Sequence, residues 1–381
     1  MDDFAVRAED VKSATRDRPI TLRIVEEIQA GFTARRAIGR GETIRIMTGA
    51  PIPEGADAVV LVEETERAGE AEVHVHLAAP LGEAIRIAGE DVKKGERVLQ
   101  TNDRLTSAAV GMLANLGRAF VHVYQKPRVA ILATGEELVD LDQELGIGQI
   151  YNSNSYAIAS QVAEAGGVPV RLGIARDNAE DLERHFRDGL NADLIVSSGG
   201  VSIGEFDLVK DALGGLGNEM HFWRVRMKPG KPLAFGTIQG IPVFGLPGNP
   251  VSTMVCFELF VRPSLLKMQG RTRMFRSVVE TTLLHPLRKT PERRHYVRAV
   301  ISHDNGSWTA RAVEAQGSHI IHSMVRANAL LVFPENKTDL PAGSQVEAIL
   351  LEEDSPLGAA PLRGSGAETL VSTTTDMPGK C

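Results

Sequence analysis

The sequence predicts a multidomain α/β protein: a central α/β domain with a mainly parallel sheet, a β-rich domain before it and a small β-barrel after it. Three observations predict this. Residues 127–270 alternate short β-branched runs with amphipathic stretches of helical period, the pattern of repeated βαβ units. Residues 1–99 and 272–352 instead carry short alternating runs punctuated by Gly, Pro and Asn. The 381 residues also exceed what one hydrophobic core organises.

The elements follow in chain order. Strands are predicted over 44–47, 58–62 and 73–77, with Pro51 and Pro53 interrupting the chain between the first two. A helix is predicted over 104–118, where Leu105, Ala108, Ala109, Met112, Leu113 and Leu116 recur at helical spacing and Gly117 ends the run. Pro127 opens the α/β region. Its strands are predicted over 129–133, 168–174, 194–197, 232–238 and 241–244, and its helices over 156–165, 179–190, 205–213 and 254–268. Strands over 278–284, 296–302, 308–313, 329–333 and 345–351 make the barrel. The chain after Glu353 is rich in Pro, Gly, Ser and Thr, and a disordered tail over 353–381 is expected.

Composition narrows the function. A net charge of −7 leaves no basic face for nucleic acid. Cys256 and Cys381 are the only cysteines, so no disulfide framework exists, and Cys256 sits in an apolar run as a buried thiol. No apolar run reaches the ~18 residues that span a bilayer. The acidic start, Met1-Asp2-Asp3-Phe4, lacks the features of a signal peptide. A cytoplasmic protein with no nucleic-acid or membrane partner is expected.

Chemistry gathers where strands end. Thr134-Gly135-Glu136-Glu137-Leu138 follows one predicted strand and Arg176-Asp177-Asn178 a second. Ser197-Ser198-Gly199-Gly200-Val201-Ser202 runs on to Asp207 after a third, and Gly245-Leu246-Pro247-Gly248-Asn249-Pro250 follows a fourth. In a parallel sheet these exits share one rim, where ligands of open α/β sheets bind. Gly199 and Gly200 let the backbone approach a phosphate. At the Pro-Gly-Asn-Pro corner, Asn249 is placed to cap the helix and Pro250 to begin it. Lys228 and Lys231, around Pro229-Gly230, supply two ammonium groups for an oxyanion. Glu137, Asp177 and Asp207 are hard oxygen donors that suit Mg²⁺ beside a phosphate. The plain alternative for Asp177 and Asp207 is a helix cap or first-turn acid, and for the lysines a solvated turn. His74 and His76 alternate on a strand as surface residues, and no Gly-x-Ser-x-Gly elbow supports a nucleophile.

These motifs resemble the molybdopterin molybdenumtransferase family, which includes the E domain of gephyrin. The segments that carry the likeness are 45–57, 87–91, 134–138, 148–154, 197–207, 228–232, 245–252, 316–319 and 326–330, in order through residues 1–352. The resemblance implies a β-rich domain over 1–90, a remnant of a helical dimerisation domain over 91–126, a molybdopterin-binding α/β domain over 127–271 and a β-barrel over 272–352. It implies molybdenum insertion into adenylylated molybdopterin with release of AMP, the final step of molybdenum cofactor biosynthesis. Asp2, Thr48, Glu137, Asp177 and Asp207 match the family's functional positions, the last three as Mg²⁺ ligands. Gly199, Gly200, Ser202, Lys228, Lys231, Pro247, Gly248, Asn249, Pro250, Arg294 and Ser318 match substrate-binding positions. The implied partners are adenylylated molybdopterin, molybdate and a second copy, whose β-rich domain completes the cleft. Family members begin with further helices. This chain starts inside the run that follows them, so a weakened homodimer is expected. Asp3 stands where the family has Gly, and Arg224 where it has Lys. Two other readings are a non-catalytic molybdopterin-binding scaffold and a nucleotide pyrophosphatase of the competence-damage-inducible type. The segment at 47–51 and the last domain argue against the second.

Overall fold

The computed structural model describes residues 2–200, 218–304 and 306–352. The helix expected over 205–213, with Ser202, Asp207 and the 353–381 tail, lies outside the described residues. The chain divides into two compact units, residues 1–100 and 101–381.

The first unit is a sheet with a core on each face. Its strands are β1 (Asp2–Val6), β2 (Ile20–Ile28), β3 (Glu42–Met47), β4 (Ala58–Val60), β5 (Thr65–Arg67) and β6 (Glu72–Val75), in spatial order β4-β1-β3-β2-β6-β5. Side chains of a strand alternate between faces. Phe4 and Val6 accordingly pack with Leu22, Val60 and Val73, while Ala5 packs with Ile44, Ile46 and Val59. The strand expected over 58–62 stops at Val60, because the chain turns into the one-turn 3₁₀ helix Val62–Glu64, whose Val62 N–H donates to the Asp3 carboxylate at 3.3 Å.

The second unit opens with the helix Ser107–Asn115, where the Thr106 hydroxyl accepts from Ala109 N–H at 3.3 Å. Gly117 ends it at φ +68°. Only Ala109 of this helix is buried, and Leu105, Val110 and Leu116 are exposed.

The α/β domain follows: β7 (Arg128–Thr134), β8 (Leu138–Val139), β9 (Ile150–Tyr151), β10 (Val168–Ala175), β11 (Leu194–Ser198), β12 (Asn218–Arg224), β13 (Met227–Lys228), β14 (Pro232–Ile238) and β15 (Ile241–Leu246). Its main sheet runs β10-β7-β11-β15-β14-β12. β10, β7, β11 and β15 are mutually parallel; β14 runs antiparallel between β15 and β12. β14 and β15 form a hairpin through Gln239-Gly240, both at positive φ, as a two-residue primed turn requires. Helices cover both faces. Ile158 and Val162 of Ser153–Glu164 share a core with Val251 and Val255, and Leu182 and Phe186 of Ala179–Gly189 fill the other side. The helix expected over 254–268 begins earlier, at Pro250, and has three parts: Pro250–Cys256, a π turn over Phe257–Val261, and Arg262–Met268. Pro263 has no N–H for the Leu259 carbonyl, and the helix widens just before it.

The last strands are β16 (Val278–Leu283), β17 (Leu287–Arg288), β18 (Arg294–Asp304), β19 (Ser307–Ala312), β20 (Ala329–Phe333), β21 (Asp339–Leu340) and β22 (Gln345–Leu350). The ladder β18-β19-β16-β22-β20 closes back on β18, which gives the barrel the sequence predicts. β13 pairs with the start of β18, with Met227 opposite Arg294 and Lys228 opposite His295. The barrel and the α/β domain are thus hydrogen-bonded to each other.

Candidate active site at the strand exits

The chain runs from β7 to β10 on one side of it and then to β11 on the other. Connections that diverge in this way open a crevice at the carboxyl ends of the strands. Here that end is tightly built. Gly199 N–H donates to the Leu246 carbonyl at 3.1 Å. Gly199 has φ +90°, and a Cβ there would lie 2.5 Å from the Thr134 carbonyl oxygen. A Cβ on Gly248 would meet Gly199 Cα at 3.8 Å. The exits of β7, β11 and β15 therefore meet backbone to backbone, and at position 199 only glycine fits. Asn154, on the helix Ser153–Glu164, donates from Nδ2 to Ser198 Oγ at 2.8 Å and to the Gly248 carbonyl at 2.7 Å. Among the described residues, buried Thr134 Oγ1 has no hydrogen-bond partner at this point.

The acids stand along the same rim. Glu137 is exposed and its carboxylate folds over Gly135, where a Cβ would come within 2.5 Å of Oε2. The loops after β7 and β10 touch, since Asp177 N–H donates to Glu136 Oε1 at 3.3 Å. Asn178, not Asp177, caps the helix Ala179–Gly189, its Oδ1 accepting from Asp181 N–H at 2.9 Å. The capping alternative for Asp177 is thereby filled by its neighbour. Asp181 in the first turn accepts from Arg176 N–H at 2.8 Å, which holds its carboxyl below the usual carboxylate range. The carboxylates described along this rim, with the Thr134 hydroxyl that has no partner among the described residues, are oxygen donors and fit a hard cation. Among the described residues no three His, Cys, Asp or Glu side chains gather at one point. The third expected ligand, Asp207, lies outside them.

At the Pro-Gly-Asn-Pro corner, Pro247 is buried while Gly248 and Asn249 are exposed. Asn249 occupies the N-cap position, yet its side chain makes no capping bond, contrary to expectation. The first-turn Val251 N–H goes to the Ser318 carbonyl instead, and the Thr253 hydroxyl bonds the Pro247 and Asn249 carbonyls. Pro250 starts the helix as expected. Val251 N–H donates to the Ser318 carbonyl at 3.0 Å, so a barrel loop closes the corner.

Arg298 holds that loop, and sequence reasoning missed it. It is 2% exposed, and donates to the Gly317 carbonyl at 3.1 Å, the Ala315 carbonyl at 3.4 Å and Ser323 Oγ at 3.2 Å. No carboxylate pairs with it among the described residues, and burial pulls its guanidinium down to about 10. Arg294, which the sequence put forward, is exposed and bonded to Glu335 at 3.0 and 3.4 Å.

Lys228 and Lys231 are both exposed. Between them Gly230 is pressed against the helix Pro250–Cys256: a Cβ at its φ of +100° would lie 2.5 Å from Cys256 Sγ. Cys256 is buried, and desolvation pushes its thiol up to about 12, so it serves packing. His295, opposite Lys228, is pushed down to about 4 by burial and then by Lys228, Lys289 and Arg293. A cavity of about 210 Å³ opens beside this strand pair, lined by Arg226, Met227, Phe260, Arg294, Tyr296 and Glu335. It lies between the barrel and the α/β domain. In the first unit, the β1–β3 ladder sets Asp2 opposite Met47, next to the exposed Thr48, so these two residues share one end of the sheet.

Three regions match known families in chain order. Residues 1–117 match the MoeA N-terminal region (domain I and II), 130–267 the probable molybdopterin binding domain, and 280–351 the MoeA C-terminal region (domain IV). Molybdopterin molybdenumtransferase 2 of Mycobacterium tuberculosis is 38% identical over 356 residues, covering 91% of this chain and 86% of that protein. The chain belongs to the molybdopterin molybdenumtransferase family. The Nostoc molybdopterin molybdenumtransferase is 36% identical over 359 residues, covering 92% of this chain and 82% of its own. Two structures of the molybdopterin biosynthesis MoeA protein from Pyrococcus horikoshii align with TM-scores of 0.76 and 0.72, at 32% and 30% identity, covering 92% of this chain and 86% of theirs. The family's molybdopterin binding domain takes in all four strand exits. No helix among the described residues is long and apolar enough to cross a membrane.

Proposed function

We propose that the chain inserts molybdenum into adenylylated molybdopterin and releases AMP, the final step of molybdenum cofactor biosynthesis. The observation that carries this reading is the backbone contact of three strand exits at Gly199, inside the region that matches a molybdopterin binding domain. A phosphoanhydride needs close approach of N–H groups and neutralised charge. Gly199 and Gly200 give the approach, with Ser202 beyond them. Pro247, Gly248, Asn249 and Pro250 form the facing wall, and Ser318 braces it through Val251. Lys228 and Lys231 attract the oxyanion, molybdate or phosphate. Glu137, Asp177 and Asp207 would hold Mg²⁺, which supplies charge neutralisation at the cleaved phosphate. Asp2 and Thr48 act from the β-rich unit. The protein works as a cytoplasmic homodimer in this reading, the β-rich unit of one copy serving the crevice of the other.

The test is direct. Purified protein is incubated with adenylylated molybdopterin, molybdate and Mg²⁺, and AMP is quantified. AMP release that needs both molybdate and the metal is expected. Tight molybdopterin binding without any AMP would favour a scaffold and overturn the enzymatic reading.

A further inference from the structure

We propose that Asn154 is a positioning residue: its single carboxamide fixes the spacing between the Gly199-Gly200 backbone and the Gly248-Asn249 backbone. The inference rests on the reading that a ligand sits between these two loops. The β11–β15 ladder ends where Ser198 pairs with Leu246, and Gly199 N–H to Leu246 is the last backbone bond between the two exits among the described residues. Beyond it the loops are joined by Ser198 Oγ to the Pro247 carbonyl, at a long 3.4 Å, and by the two Asn154 bonds at 2.8 and 2.7 Å. Asn154 comes from a third element, the helix Ser153–Glu164, whose Ile158 and Val162 are anchored in the core. The clamp is therefore seated on a fixed support. Its base is held as well, because Asn152 caps that helix by accepting from Ser155 N–H at 3.3 Å.

The chemistry selects asparagine. One acceptor is a hydroxyl and the other a carbonyl, and a carbonyl takes only a donor. The Nδ2 group carries two hydrogens on one atom and reaches both. A serine would offer one donor. An aspartate of the same shape would set a carboxylate oxygen against the Gly248 carbonyl, turning an attraction into a repulsion. The loops would then part at the side where the ladder no longer holds them. Ligand would still enter, but reacting groups held on opposite loops would lose alignment, and rate is more sensitive to alignment than binding is.

Asn154→Asp and Asn154→Ala are compared with wild type in two measurements. The first is steady-state AMP release. We expect kcat to fall about tenfold in each variant, the equivalent of about 1.4 kcal/mol, with KM within twofold. The second is hydrogen exchange by mass spectrometry on peptides covering 194–200 and 244–252. Exchange there should quicken, while peptides from β7 and β14 keep their wild-type protection. Unchanged exchange at both peptides, or an unchanged kcat, overturns the proposal. Faster exchange across the whole sheet also overturns it, since that marks a residue that merely stabilises the fold. If wild type itself releases no AMP, the enzymatic reading has failed, and the exchange measurement still decides the clamp.

Discussion

Two loops meet the Pro-Gly-Asn-Pro corner, and they are held in different ways. The strand-exit side is fixed by neutral groups: glycine backbones in contact, the Asn154 amide and the Thr253 hydroxyl. The barrel side, 315–318, is fixed by a buried cation, Arg298, bonded to carbonyls and a hydroxyl, and by the Gln316 amide, which accepts from Arg298 N–H and donates to the Arg298 and Val313 carbonyls. A neutral frame costs little to bury and tolerates close approach of backbones. A buried charge without a carboxylate is costly, so its hydrogen bonds must all be kept. Rigidity on the first side comes from shape and neutral hydrogen bonds, and on the second from a buried charge in addition to them. Substitutions should therefore fail differently on the two sides.

The largest effect is expected at Arg298. Arg298→Met leaves the Ala315 and Gly317 carbonyls without their donor, and unfolding free energy should drop by about 3 kcal/mol, with Arg298→Lys recovering part of it. Denaturant unfolding measures this, and equal loss in the two variants would mean that volume, not charge, holds the loop. Next comes Gly199→Ala, where a Cβ overlaps the Thr134 carbonyl at a positive φ. A loss of about 2 kcal/mol is expected, together with lost AMP binding in calorimetric titration. Wild-type stability and affinity would show that the exits have room to separate.

The smallest effect concerns His295, beside Lys228. Its folded value of about 4 lies below the ordinary 6.5, so between these pH values the unfolded chain binds a proton that the folded one refuses. Its contribution is present in full above pH 6.5 and is lost as pH falls towards 4. His295→Gln should flatten the fall in melting temperature over that window. An identical pH profile in the variant would remove the cationic surroundings of Lys228 from the account.

The contrast also explains what could be read in the sequence. The exits of β7, β10, β11 and β15 were legible because short apolar runs end abruptly in glycine, acid or proline, and period and turn chemistry agree there. The barrel was legible from alternation. Arg298 was not. It lies between buried Val297 and Ala299 on β18, where alternation predicts an outward polar side chain. The 313–328 segment folds over that face and buries it, and no local pattern records a long-range cover. The same locality explains the helix after β15: Val251-Ser252-Thr253 are weak helix formers, and the corner with its Ser318 contact holds them helical from Pro250. Asn249 illustrates the reverse case. It is an ideal capping residue by type, yet the first-turn Val251 N–H goes to the Ser318 carbonyl.

The central claim is that the exposed Glu137 and the half-buried Asp177 of the strand exits act on the ligand and not on the fold. The measurement is metal-dependent AMP release by Glu137→Gln and Asp177→Asn, with melting temperatures recorded alongside. Glu137 is exposed, and surface substitutions of this kind change stability by less than about 0.5 kcal/mol, so Glu137→Gln should melt like wild type, while the activity of Asp177→Asn is read against its own melting temperature. AMP release should fall at least about a hundredfold, the scale of losing electrostatic stabilisation of a transition state. Near-wild-type release by both variants, with Mg²⁺ dependence intact, would contradict the account and move the chemistry away from this rim.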